Sequence, residues 1–213
     1  MSTEATTLPG SRPALVRRGL WLNYATIAYN CVEAVIALVA GLLAGSVALV
    51  SFGFDSVIEV TASGAAQWRL RADVDEGKRE RVERITGRII GWTFLALAAY
   101  VLIDSVRTLL TRQHPEASTM GLLILALSVV VMPLLARAKR RVAIQMGSRS
   151  LEADASQTSL CAYLSAIALA GVALSTWLGW WWADPVAALA MVPIIAKEGV
   201  SGLRGKHHCE DCR

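Results

Sequence analysis

Asp55 and Glu59 stand four residues apart inside an apolar stretch, a spacing that puts both carboxylates on one helix face about one turn apart. An ionisable group at bilayer depth costs about 2.5 to 3.5 kcal/mol on insertion scales, so each one needs a partner or a function. Two carboxylates this close in low dielectric repel, and share a proton unless a cation lies between them. Residue type and spacing therefore point to a divalent-cation site. In the competing arrangement one carboxyl is protonated and the other is hydrogen-bonded to a neighbouring helix, and both are structural.

Further polar groups interrupt other apolar stretches. Asn30 and Glu33 share a face at spacing three, with Thr26 one turn earlier. They give that helix a polar stripe that serves either as ligand or as interhelical hydrogen-bonding glue. Cys31, one residue off the stripe, reads as a small core residue. From Ser150 to Cys161 the chain reads Ser-Leu-Glu-Ala-Asp-Ala-Ser-Gln-Thr-Ser-Leu-Cys. There Asp154, Gln157 and Cys161 fall on one face by steps of three and four, while Glu152 reads as an acidic first-turn residue suited to the helix dipole. Asp104 with Arg107 reads as a local ion pair. Asp184 before Pro185 reads as a helix start, with Asp as N-cap and Pro at the first helical position. The tail carries His207, His208, Cys209 and Cys212, imidazoles and thiols dense enough to form a zinc half-site or simply a polar end.

These groups must be positioned by membrane helices. Of the 213 residues 54% are hydrophobic and 18% charged, and the mean hydropathy of +0.47 exceeds what one soluble core needs. Spans of about 20 apolar residues cross roughly 30 Å of hydrocarbon. They are expected at residues 20–43, 46–68, 88–110, 118–136, 155–178 and 183–203, with a tight hairpin at Gly41, Gly45 and Ser46. The sixth is the weakest, interrupted by Pro185, Pro193, Lys197 and Glu198. The fold class is all-α: a polytopic membrane protein, a six-helix transmembrane bundle with both termini cytoplasmic. Residues 1–19 form a polar N-terminal segment, 20–203 the membrane domain and 204–213 a short tail, with no cleaved signal peptide and no soluble domain after the last span.

Basic residues set the orientation. Arg12, Arg17 and Arg18, the run from Arg69 to Arg88, and Arg137, Lys139, Arg140, Arg141 and Arg149 lie in segments that the positive-inside rule assigns to the cytoplasm. Trp177, Trp180, Trp181 and Trp182 then fall at the outer interface, and Trp21 and Trp68 at the inner one. The net charge of +4 belongs to loops, which excludes a nucleic-acid surface. Four cysteines are too few for a disulfide framework.

The stretch Gly-Ser-Val-Ala-Leu-Val-Ser-Phe-Gly-Phe-Asp-Ser-Val-Ile-Glu, ending at Glu59, resembles the second helix of the cation diffusion facilitator family. Residues from Ala153-Asp154 to Ser165, with Ala183-Asp184-Pro185-Val186-Ala187-Ala188-Leu189, resemble its fifth helix and the start of its sixth. The resemblance implies an intramembrane zinc site at Asp55, Glu59 and the positions of Gln157 and Cys161, where family members usually carry His and Asp. Gln157 is a weak neutral ligand and Cys161 a soft one, so Glu33 or Asp154 completes a rebuilt site, or ion choice or transport itself is altered. The resemblance also implies a homodimer.

The expected protein is not an enzyme and needs no cofactor. It is a multi-pass cell-membrane transporter that exports Zn2+ or a similar divalent cation in exchange for protons, its contacts being lipid, the cation and protons. The alternatives are a non-transporting metal sensor or scaffold, and a proton-coupled exporter of small organic cations using Glu33 and Asp55.

Overall fold

The structure is a computed structural model that describes residues 12–71, 76–116, 118–147 and 149–204. It contains six helices, α1 (Arg12–Ala44), α2 (Val47–Arg71), α3 (Glu76–Thr111), α4 (Thr119–Met146), α5 (Arg149–Leu178) and α6 (Ala183–Arg204), and no strand among the described residues. Each helix is long and apolar enough to cross a membrane, which bears out the all-α, six-span reading. Short connections make helices adjacent in sequence antiparallel, so α1 starts and α6 ends on the same side of the bundle.

Bundle and bilayer divide the apolar residues between them. Phe52, Leu49, Leu125, Met132, Leu164 and Met191 are fully buried in one cluster that runs through the helices. Leu43, Leu110, Val35 and Trp92 stay largely exposed, an arrangement that lipid stabilises and water would not. Cys31 is exposed on this outer surface, not the core residue expected, because the buried face of α1 is set by Asn30, Glu33 and Ala37. Trp177 is exposed, and Trp180 stacks on Trp182 with ring centroids 5.3 Å apart. His114, in the connection before α4, meets Trp181 edge-on at 5.7 Å.

Several helices outrun the apolar segments that predicted them. α1 begins at Arg12, α3 at Glu76, and α4 continues to Met146, taking in Arg137, Lys139, Arg140 and Arg141, which the sequence placed in a loop. Once a span has formed, adding a residue to its end costs little, so helix continues past the hydrocarbon. α4 stops at Gly147, whose φ of 61° closes the last turn onto Ala143 and Ile144 carbonyls. α6 is continuous through Pro193, and the sixth span is as long as its predicted limits.

The α1–α2 turn is fixed by side chains. Gly45 takes φ +66°, and Ser46 caps α2 by accepting from Leu49 N at 3.1 Å. The Ser46 hydroxyl donates to Asp184 Oδ1 at 2.5 Å, while Asp184 Oδ2 accepts from Val47 N at 2.9 Å and from Ala48 N at 3.4 Å. Asp184 therefore caps α2 instead of its own helix, contrary to the sequence reading. The donors exposed at the start of α2 are the better partners for a fully buried carboxylate. The expected Asp104–Arg107 pair is also absent, and Asp104 Oδ2 accepts from Tyr100 instead, at 3.4 Å. On the far side, α3 and α6 meet at Gly91 and Gly199, where a Cβ on Gly91 would fall 2.8 Å from the Gly199 carbonyl.

Candidate metal centre

The polar residues of α1, α2 and α5 turn inward together. On α1, Asn23, Thr26, Asn30 and Glu33 are buried; on α2, Asp55, Ser56, Glu59 and Ser63; on α5, Asp154, Thr158, Cys161 and Ser165. Steps of three and four along each helix produce one polar seam inside an otherwise apolar bundle.

Asp55 and Glu59 lie in this seam, 4% and 1% exposed. Asp55 Oδ2 and both Glu59 oxygens have no hydrogen-bond partner among the described residues. A buried carboxylate oxygen without a partner carries the full desolvation cost of that group. Cys161 projects from α5 toward both carboxyl groups, and Asp55, Glu59, Glu33 and Cys161 interact electrostatically as one cluster. Glu198 of α6 reaches the same cluster through its interaction with Asp55.

The remaining candidates are placed differently. Both oxygens of Glu33 are engaged, one by Ser128 and the other by Ser56 at 2.9 Å, and Ser128 also contacts the Tyr29 hydroxyl at 2.8 Å. Asp154 pairs through Oδ2 with Lys139 Nζ at 2.7 Å and through Oδ1 with Ser63 Oγ at 2.8 Å. Gln157 is half-buried, at the margin of the face expected to hold it with Asp154 and Cys161, because the inward steps run Asp154, Thr158, Cys161. The tail residues His207, His208, Cys209 and Cys212 lie outside the described residues.

Lys139, Thr158, Ser63 and Ser128 were missed at the level of sequence. Lys139 is hidden among three arginines, yet the series Ser128, Met132, Ala136, Lys139 continues one helical stripe, and all four are buried. That periodicity was the available signal. Among the described residues no three His, Cys, Asp or Glu side chains already surround one point closely enough to hold an ion. The cluster is a set of neighbours on separate helices, with three unpartnered carboxylate oxygens, and not a closed coordination shell.

A family model for the cation efflux transmembrane domain matches residues 24–205, and so bears out the resemblance drawn from α2 and α5. Magnetosome protein MamB of Paramagnetospirillum magneticum is 28% identical over 169 residues, covering 76% of this chain and 56% of the relative. Magnetosome protein MamB of Magnetospirillum gryphiswaldense matches with the same identity and coverage. The chain thus spans about half the length of the curated relatives it matches.

Proposed function

Because the chain belongs to the cation efflux family, a family of multi-pass membrane proteins, we propose that it carries a divalent metal cation across the membrane, bound at Asp55 and Glu59. The observation that supports this most directly is the three unpartnered carboxylate oxygens at bilayer depth, on adjacent turns of α2 and beside the Cys161 thiol. A divalent cation satisfies those oxygens and cancels their repulsion at once. Its arrival draws Asp55, Glu59 and Cys161 together from two helices, with Glu33 and Glu198 as the further carboxylates of the cluster.

Zn2+ or a comparable ion is the cargo best matched to two carboxylates and a thiol. Protons compete with metal for the same oxygens, which gives exchange of one for the other a chemical basis. Both termini then face the cytoplasm, and export is the direction of use. The test is metal flux into liposomes holding the purified chain, with and without an imposed pH gradient. Flux that follows the gradient, and vanishes in Asp55→Asn and Glu59→Gln while both proteins remain expressed, supports the reading. Metal binding with no flux identifies a sensor or scaffold, and wild-type flux in both variants rejects the site.

A further inference from the structure

Lys139 is the one fully buried basic side chain among the described residues. Its ammonium sits 2.7 Å from Asp154 Oδ2 and donates to Thr158 Oγ1 at 3.0 Å. Thr158 in turn donates its hydroxyl to the Asp154 backbone carbonyl at 3.1 Å. Ser63 holds the second Asp154 oxygen at 2.8 Å, and the Ser63 carbonyl accepts from Asn23 Nδ2 at 3.4 Å. Side chains of α2, α4 and α5 therefore converge on one ion pair, one turn along α2 from Glu59, and Asn23 of α1 braces the Ser63 backbone.

Glu59 interacts electrostatically with this Lys139, yet both its oxygens are unpartnered. An ammonium carries three donors, of which the contacts above use two. The four-carbon stem is flexible, and the charge at its end is compact. A flexible side chain thus carries its charge within electrostatic reach of the carboxylate assigned to the metal, and Asp154 and Thr158 hold that charge in place. We propose that Lys139 is a tethered counter-cation that competes with metal for Glu59, and that Asp154 is the positioning residue that holds Lys139 away. The inference rests on the assignment of Asp55 and Glu59 as the metal site.

If a metal ligand is what Lys139 opposes, charge at residues 139 and 154 must set affinity in a fixed order. Lys139→Gln removes the competitor and tightens binding. Asp154→Asn releases the ammonium onto Glu59 and weakens it. Lys139→Gln with Asp154→Asn also lacks the ammonium, so no competitor remains and binding stays tighter than in the wild type. A purely structural ion pair predicts something else: each single variant lowers thermal stability, because one buried charge is stranded, with no opposed change in metal binding.

The experiment titrates Zn2+, and separately Cd2+, into the full chain in detergent by calorimetry, with thermal unfolding of each apo variant alongside. The expected dissociation constants are about tenfold lower for Lys139→Gln and about tenfold higher for Asp154→Asn. If a single variant does not fold, the double variant decides, since it strands no charge and must bind more tightly than wild type. Equal affinities throughout, or a loss in all three variants, overturn the proposal. Undiminished Zn2+ binding by a chain carrying both Asp55→Asn and Glu59→Gln instead overturns the site assignment beneath it.

Discussion

Ser128 on α4 donates its hydroxyl to Glu33 on α1, so a carboxylate that sequence alone could assign to the metal site already has a partner on each oxygen. Glu33→Gln keeps the shape and can reverse one serine hydrogen bond. It should retain most metal flux, in contrast to Asp55→Asn. Flux measured in the same liposome preparation makes the comparison, and loss as complete as that of Asp55→Asn would return Glu33 to the ion path.

Cys161 offers a soft donor where the carboxylates are hard. Cys161→Ser should lower affinity for Cd2+ more than for Mn2+, and Cys161→Asp should shift preference back toward harder ions. A transport panel over Zn2+, Cd2+ and Mn2+ on the Ala, Ser and Asp variants reads the order of selectivity. An unchanged order in all three means that the thiol only fills space.

Asp184 accepts three hydrogen bonds from the beginning of α2. Asp184→Asn removes the charge and one acceptor pattern, and should cost about 1.5 to 3 kcal/mol, the range for hydrogen bonds to a charged group. Ser46→Ala should cost less, about 1 kcal/mol, as an N-cap loss. Denaturant or thermal unfolding in detergent gives both values.

Gly91 and Gly64 make a paired test of packing. A Cβ on Gly91 meets the Gly199 carbonyl and Leu203 N, both at 2.8 Å, whereas one on Gly64 meets nothing within 4 Å. Gly91→Ala should destabilise by about 1 to 3 kcal/mol, because backbone must shift. Gly64→Ala should stabilise by roughly 0.5 to 1 kcal/mol through helix propensity. Opposite signs in thermal unfolding are the expected result.

The lipid-crossing architecture was legible because hydrocarbon thickness imposes a length on each apolar run, and the Asp55–Glu59 pair was legible because charge inside such a run is conspicuous. What escaped the sequence was partnership across helices. Lys139 looked like one of five loop cations, since nothing local distinguishes the position that faces Asp154. Asp184 looked like the cap of the helix it begins, and its capping of α2 depends on how α6 docks. Gln157 and Thr158 are neighbours in sequence, and only the rotation of α5 about its axis decides which of them faces Lys139.

The clamp between Asp184 and the first turn of α2 has a mechanical consequence. A rod pinned at one end can swing only at the other, so any rocking of α2 against α6 must grow in amplitude from Ser46 toward Arg71. Asp55, close to the pin, moves least, and Glu59 and Ser63 move progressively more. The fulcrum thus lies at the α1–α2 turn, and Ser63, which holds Asp154, sits farther along the lever arm.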